Sequence, residues 1–125
     1  MSARTPEDVD RLFGEFLNSG SLEGLVSLYE AGAAFVPQEG DAIVGRDGIR
    51  EALSGFVAMK PRIKMNVVRV VSMGDDLAML YNDWSLTATG PDGKPAETSG
   101  KATEIVRRQK DGTWLFVCDA PFMRS

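Results

Sequence analysis

Residues 77–119, LAMLYNDWSLTATGPDGKPAETSGKATEIVRRQKDGTWLFVCD, are the stretch that decides the fold. Apolar and polar residues alternate along three segments, and two groups of turn residues separate them: Gly90-Pro91-Asp92-Gly93 and Asp111-Gly112. Glycine and aspartate favour tight reversals, because both tolerate backbone conformations that other residues avoid. The pattern therefore predicts three consecutive antiparallel strands joined by two hairpins.

The second turn predicts how the last two strands align. A two-residue loop at Asp111-Gly112 places Val106 opposite Val117. The same alignment places Glu104 opposite Asp119. Because side chains alternate between the faces of a strand, this register also decides which residues share a face.

The first turn extends this alignment to a third strand. If Thr89 pairs with Thr98, Asp83 lies opposite Glu104. Three carboxylates, Asp83, Glu104 and Asp119, then form a row across three adjacent strands on one face. This row is the catalytic site that the spacing of the residues predicts.

Three acids facing a poorly solvated pocket cannot all ionise cheaply, so at least one of them is expected to keep a proton. A protonated Glu104 could then serve as a general acid, with Asp83 or Asp119 as the base and Tyr81 orienting a ligand. The row could instead hold a hard cation. It could also be a solvated or ion-paired rim with no chemical role.

The two faces of these strands predict a pocket on one side and a subunit contact on the other. The pocket is expected to be lined by Phe13, Tyr29, Phe35, Phe56, Met79, Tyr81, Val106 and Val117. The opposite face carries Trp84, Trp114 and Phe116. A patch of this kind is not expected to remain in water, so a homodimer through this face is predicted.

The first half of the chain predicts three helices. Thr5 and Pro6 favour a helix start, Gly20 favours its end, and Ser21 favours the cap of a short second helix that includes Tyr29. Residues 45–60 carry a third apolar stripe, and short strands are expected at 33–36 and 42–44. A change of alternation phase after Val67 predicts a β-bulge in the next strand. The fold class predicted is α+β.

Size and composition predict one domain over residues 1–125. The net charge is −4, and no basic run is present, so nucleic acid is not expected as a partner. No apolar run approaches the roughly 20 residues that span a bilayer, and no signal-peptide pattern is present, so a cytoplasmic location without membrane contact is expected. The chain has no histidine, which excludes imidazole-based triads and zinc sites built on histidine. Neither a metal nor a cofactor is predicted.

Three motifs resemble the nuclear-transport-factor-2-like superfamily, in its SnoaL-like and ketosteroid-isomerase-homologue branch. They are Leu28-Tyr29 with Ala33-Ala34-Phe35-Val36-Pro37, Gly45-Arg46-Asp47-Gly48-Ile49-Arg50-Glu51, and Thr103-Glu104-Ile105-Val106-Arg107-Arg108 with Asp111-Gly112-Thr113-Trp114. The resemblance implies a cystatin-like cone: a bent, mostly antiparallel sheet around a pocket that three helices cap. It also implies dimers that form through the convex face.

The isomerase residues of that branch transfer only in part. Phe13 stands where those enzymes have an oxyanion-donating tyrosine, and Pro37 stands where they have a carboxylate base. Glu104 matches their second donor, a protonated acid. The resemblance therefore implies a protein that is not a true ketosteroid isomerase.

The function predicted is a small-molecule pocket. As an enzyme it would run cofactor-independent acid–base chemistry, such as isomerisation, cyclisation or hydrolysis, on a small, largely apolar substrate. The alternative is a non-catalytic ligand-binding or dimerisation module.

Overall fold

A computed structural model describes residues 2–124 of the chain. These residues form three helices and six strands. In chain order the elements are α1 (Pro6–Ser19), α2 (Leu22–Ser27), β1 (Tyr29–Phe35), β2 (Ile43–Val44), α3 (Arg46–Ala58), β3 (Arg62–Ser72), β4 (Leu77–Thr89), β5 (Pro95–Arg108) and β6 (Trp114–Arg124). The predicted α+β class is confirmed. Within residues 2–124, no helix has the length and apolar character needed to cross a membrane.

The helix boundaries follow from capping residues, as the sequence predicts. The Thr5 side chain accepts a hydrogen bond from the Asp8 backbone N–H at 3.3 Å, and Pro6 occupies the first turn of α1. Gly20 ends α1 with a φ of +74°, a left-handed conformation that glycine adopts without strain. Ser21 caps α2. The prediction that Tyr29 belongs to α2 is wrong, because Tyr29 begins β1.

The six strands form one sheet in the order β2-β1-β6-β5-β4-β3. Neighbouring strands are antiparallel except for β1 and β6, which are parallel. The last strand, β6, lies between β1 and β5. The sheet curls without closing, as in cystatin-like folds. The predicted bulge is confirmed, since the pairing of β3 with β4 shifts between Val67 and Arg69. Such a bulge bends the strand and increases its twist.

Helices α1 and α3 pack against the concave side of the sheet, which we call the inner face. Ala78, Leu80 and Asn82 of β4 are completely buried there, whereas Met79 and Tyr81 between them are half-buried on the opposite side, the outer face. This alternation has the period of two expected for a strand. The inner face therefore supplies the wall of the core and of any pocket.

The register predicted for the first hairpin is wrong by three residues. Thr89 pairs with Pro95 rather than with Thr98, and Asp83 consequently lies opposite Lys101. Proline is tolerated as the first residue of a strand, so β5 begins directly after the turn. An odd shift moves a side chain to the other face. Asp83 is therefore separated from the two other acids.

The pairing of Glu104 with Asp119 is confirmed, although the loop that leads to it differs from the prediction. The Gln109 N–H donates to the Thr113 carbonyl, and Gly112 has a φ of +84°, so the loop contains three residues rather than two. A bulge between Ile105 and Val106 then restores the predicted register. Between bulge and loop, Val106 pairs with Phe116 and not with Val117.

The face predicted for a dimer contact is the inner face. Trp114 and Phe116 are buried in the core, and Phe116 packs against the ring of Tyr29 with the centroids 4.9 Å apart. Trp84 donates its indole N–H to the Pro121 carbonyl at 2.9 Å beneath the helices. Trp114 and Phe116 are therefore not exposed for a subunit contact, and Trp84 is only partly exposed. The homodimer itself stays a prediction.

Candidate functional site

A cavity of about 470 Å³ opens between the helices and the inner face of the sheet. Ligand pockets in proteins commonly enclose roughly 300–1,000 Å³ and are mostly apolar. The apolar and aromatic residues that line this cavity are Phe13, Leu17, Phe35, Pro37, Ile43, Ala52, Leu53, Phe56, Met59, Ile63, Met65, Trp84, Leu86, Ala88, Ala96, Pro121 and Phe122. Phe56 is 38% exposed, so one edge of the cavity reaches solvent.

Polar side chains occupy only a small part of the cavity wall. They are Gln38, Asn82, Thr98, Glu104 and Asp119. Glu104 and Asp119 are paired residues of neighbouring strands, and both are at least 96% buried, with exposed fractions of 3% and 4%. Two carboxyl groups thus lie side by side at a largely apolar wall.

Tyr29 holds Asp119 in place. Its hydroxyl donates a hydrogen bond to Oδ2 of Asp119 at 2.6 Å, and both side chains are buried. Burial raises the pKa of Asp119 to about 7, although the Tyr29 hydrogen bond lowers it and nearby Asp10 raises it. Asp119 therefore changes protonation near neutral pH, which suits a general base.

The surroundings of Glu104 favour the neutral form of its carboxyl. Burial raises the pKa of its carboxyl well above the ordinary value, and the neighbouring Asp10 and Asp119 raise it further. The Asn82 side chain acts in the opposite direction. Protonated Glu104 can donate a hydrogen bond or a proton to a ligand in the cavity.

A third buried carboxyl, Asp10 of α1, joins the other two. Its side chain is completely buried, and neither of its oxygens has a hydrogen-bond donor. Burial raises the pKa of Asp10 to about 6, and the neighbouring Glu104 carboxyl lowers it. The sequence analysis missed Asp10. The available signal was its position three and seven residues before Phe13 and Leu17, on the apolar stripe of α1.

The structure places only some of the other predicted pocket residues at the cavity. Phe13, Phe35 and Phe56 line it, whereas Tyr29 and Val106 are completely buried beside it. The half-buried residues Met79, Tyr81 and Val117 do not line it. Asn82 and Trp84, which the sequence analysis did not assign to the pocket, do line it. The sequence analysis assigned the wrong face of β4 to the pocket, which explains Met79, Tyr81, Asn82 and Trp84, whereas Val117 is the extra residue at the bulge of β6.

Asp83 belongs to a separate cluster on the outer face. Its Oδ1 forms an ion pair with the guanidinium of Arg124 at 3.0 Å, and 39% of the Asp83 side chain is exposed. The same guanidinium lies 4.4 Å from the centre of the Tyr81 ring. Asp83 is therefore solvated and paired, and it cannot act on a ligand in the cavity.

The carboxyl cluster does not have the geometry of a metal site. Within residues 2–124, no three Cys, Asp or Glu side chains are arranged so that they could hold a metal ion. What Asp119 and Glu104 offer is a base and a neutral acid beside each other.

Fold and site together define a small α+β domain with a helix-capped, largely apolar pocket. Residues 9–117 match the family model of the SnoaL-like domain, so the chain belongs to the SnoaL-like family of NTF2-like proteins. A comparison with curated proteins finds no match for this chain.

Solved structures share the fold at low sequence identity. A conserved protein from Planctomyces limnophilus has a TM-score of 0.84 at 19% identity, and the match covers 93% of this chain and 91% of that one. A ketosteroid isomerase-like protein from Erwinia carotovora atroseptica has a TM-score of 0.81 at 15% identity, covering 91% and 89%. A protein with a cystatin-like fold from Caulobacter vibrioides has a TM-score of 0.79 at 14% identity, covering 95% and 87%. Because one fold supports many activities, these likenesses establish the fold alone.

Proposed function

We propose that this protein is a cofactor-independent acid–base enzyme that acts on a small, neutral and largely apolar molecule. The observation that carries the proposal is the pairing of Glu104 with Asp119 at the wall of an apolar cavity. Burial raises the pKa of both carboxyls, but only Asp119 accepts a hydrogen bond from Tyr29, which favours its ionised form, and such a difference in surroundings is how a site assigns an acid and a base.

In the proposed reaction Asp119 removes a proton from a carbon next to a carbonyl group. Glu104 donates its proton to the carbonyl oxygen, so the negative charge that develops there is neutralised. Asp119 then returns the proton it holds to a different carbon of the conjugated enol while Glu104 takes back the proton from the enol oxygen, so the substrate is isomerised and both residues regain their starting protonation. Tyr29 keeps the Asp119 carboxylate oriented throughout, through its 2.6 Å hydrogen bond.

The wall of the cavity indicates the class of substrate. Within the described residues, its lining contains two carboxyls and neither lysine nor arginine, so an anionic ligand would meet no compensating charge. Its aromatic and aliphatic lining favours a hydrocarbon body. A ketone or enone with an apolar skeleton meets both requirements.

Isotope exchange tests this reaction without knowledge of the natural substrate. The protein is incubated in D₂O with small apolar ketones such as 2-indanone and 4-phenyl-2-butanone, and deuterium next to the carbonyl is measured by NMR. We expect the wild-type protein to accelerate exchange above the buffer rate. We expect Asp119→Asn and Glu104→Gln to lower the acceleration by about 100-fold or more, the range of a general acid or base.

Asp83→Asn is the matched control, since it removes a carboxylate from the same sheet but from the outer face. It should exchange at the wild-type rate. Equal rates for wild type and Asp119→Asn would contradict the role of the base. Phe13 cannot donate a hydrogen bond and Pro37 cannot accept a proton, so the proposed reaction takes its base from Asp119 and not from the position that ketosteroid isomerases use.

A non-catalytic binding module is the second candidate, and the open volume of the cavity favours it equally. It predicts that the ketones bind without exchange and that Asp119→Asn leaves the affinity unchanged. Calorimetric titration beside the exchange assay separates the two functions.

A further inference from the structure

Asp10 is a buried carboxyl that the proposed reaction does not use. It lies in the middle of α1, is completely buried, and has neither a cation nor a hydrogen-bond donor on its oxygens among the described residues. Buried polar groups in folded proteins nearly always have partners, and an unpartnered one weakens the fold. The presence of Asp10 therefore calls for a specific explanation.

A proton held between the carboxyls of Asp10 and Glu104 explains why both can be buried. Oε1 of Glu104 is also buried without a partner, and the Asp10 and Glu104 carboxyls lie near enough for each to shift the pKa of the other. Two ionised carboxylates cannot hydrogen-bond, because neither has a proton to donate. One proton placed between them turns the contact into a hydrogen bond and satisfies both residues.

The surroundings allow no other source of neutralisation. The titratable groups that face the pair are Tyr29 of β1 and Asp119 of β6, and Asn82 of β4 adds a neutral amide. In the described chain, no lysine or arginine hydrogen-bonds to any of the three carboxyls. The pair is therefore left with a proton as its only positive partner.

We propose that Asp10 is a positioning residue that shares one proton with Glu104 and thereby keeps Glu104 the acid of the site. The shared proton follows from three observations: both carboxyls are buried, three of their oxygens have no partner, and each carboxyl influences the pKa of the other. The role of Glu104 as the acid of the site rests on the function proposed above. With the proton held between them, Glu104 remains neutral while Asp119 ionises, so acid and base coexist in the same pH range.

The first test uses the wild-type protein without a ligand. Carboxyl carbons of Asp10 and Glu104 are followed by ¹³C NMR between pH 4 and pH 10. Two carboxyls that share a proton titrate as one system, so each carbon should show both steps at the same two apparent pKa values. A single, independent step for each carbon would overturn the proposal.

The second test removes the Asp10 charge with Asp10→Asn. We expect the pKa of Glu104 to fall by at least about one unit, because two carboxyls that share a proton shift each other's pKa by about that much or more. Glu7→Gln is the matched control, since Glu7 lies exposed on the same helix and its loss changes the net charge equally. It should leave the Glu104 titration unchanged.

An unchanged Glu104 titration in Asp10→Asn, or an equal shift in Glu7→Gln, would overturn the pairing. Should Asp10→Asn not fold, the wild-type titration decides alone. Because neither titration involves turnover, a coupled pair combined with failed isotope exchange would reject the enzyme function and keep the shared proton. Uncoupled titrations combined with successful isotope exchange would reject the shared proton and keep the enzyme function.

Discussion

Carboxyl groups on the two faces of the sheet have opposite surroundings. On the outer face Asp83 is partly solvated and pairs with Arg124 at 3.0 Å. On the inner face Glu104 and Asp119 are almost completely buried and meet another acid, Asp10, rather than a base. Because water and cations are both excluded on the inner face, the pKa values of its three carboxyls are raised.

The comparison shows that position on the sheet, and not residue type, gives these acids their chemistry. Asp83 and Asn82 are adjacent in sequence, yet Asn82 lines the cavity and Asp83 does not. Four predictions test the contrast between the two faces, from the largest expected effect to the smallest.

The largest effect is expected from pH, because only the inner face changes its charge near neutrality. Asp10 and Asp119 have folded-state pKa values of about 6 and about 7, above the values near 4 of an unfolded chain. The folded state therefore binds more protons than the unfolded state between pH 4 and pH 7. The free energy of unfolding should fall by on the order of 3 kcal/mol from pH 5 to pH 8.

Urea denaturation at the two pH values measures this fall. The double variant Asp10→Asn with Asp119→Asn should reduce the fall and leave the part that buried Glu104 contributes, whereas Asp83→Asn should keep the whole fall. A wild-type free energy of unfolding that is equal at pH 5 and pH 8 would contradict the burial of the cluster.

The next effect is steric and also confined to the inner face. Trp84 lies across Gly100 of β5, where an added Cβ would be 2.6 Å from Cζ2 of Trp84 and 2.8 Å from the Pro121 carbonyl oxygen. Gly100→Ala should therefore lower the free energy of unfolding by about 2 kcal/mol, the usual cost of overpacking.

Thermal and urea denaturation of Gly100→Ala measure that loss, and tryptophan fluorescence should shift because the indole must move. Gly55→Ala in α3 is the control, since nothing lies within 4 Å of its added Cβ. It should stabilise the protein by up to about 1 kcal/mol. A neutral Gly100→Ala would show that Trp84 does not fill this part of the inner face.

The two tyrosines of the chain provide a third contrast. Tyr29→Phe removes the buried hydrogen bond to Asp119, which should lower the free energy of unfolding at pH 8 by about 1.5 kcal/mol. It should also raise the pKa of Asp119 above about 7, because the lost donor favours the ionised form. Urea denaturation and ¹³C NMR measure the two effects.

Tyr81→Phe is the matched control on the outer face, where the ring contacts Arg124. It should change neither quantity appreciably. An unaltered Asp119 titration in Tyr29→Phe would remove the hydrogen bond from the description of the site.

The smallest effect is expected for the outer ion pair. Asp83→Asn should lower the free energy of unfolding by less than about 1 kcal/mol, because partly exposed pairs are screened by water and salt. Urea denaturation at 50 mM and 500 mM salt measures it, and the difference from wild type should shrink at high salt. A larger loss that is independent of salt would place Asp83 in a buried environment.

Much of the fold could be predicted because local signals determine it. Thr5, Ser21 and Gly20 mark helix ends through their own hydrogen bonds and backbone conformation. The bulge after Val67 follows from a visible change in alternation. Each of these features depends only on a few neighbouring residues.

The site was predicted less well, because it depends on register and on tertiary contact. The turn residues Gly90-Pro91-Asp92-Gly93 do not indicate at which residue strand pairing resumes. The predicted register was therefore wrong by three residues, and Asp83 was assigned to the wrong face. The pairing of Glu104 with Asp119 was predicted correctly because a bulge compensates for the longer loop. Asp10 was missed because its partners lie on strands far along the chain, which helical spacing alone does not reveal.

The position of β6 between β1 and β5 has a consequence for how the protein is made. The residues of the carboxyl cluster come from α1, β1, β5 and β6, so the cluster remains open to water until β6 has been synthesised and inserted. Contacts that join distant parts of a chain form slowly. A ribosome-bound fragment that stops before Trp114 should therefore expose the edges of β1 and β5, and a chaperone that covers strand edges would assist its maturation.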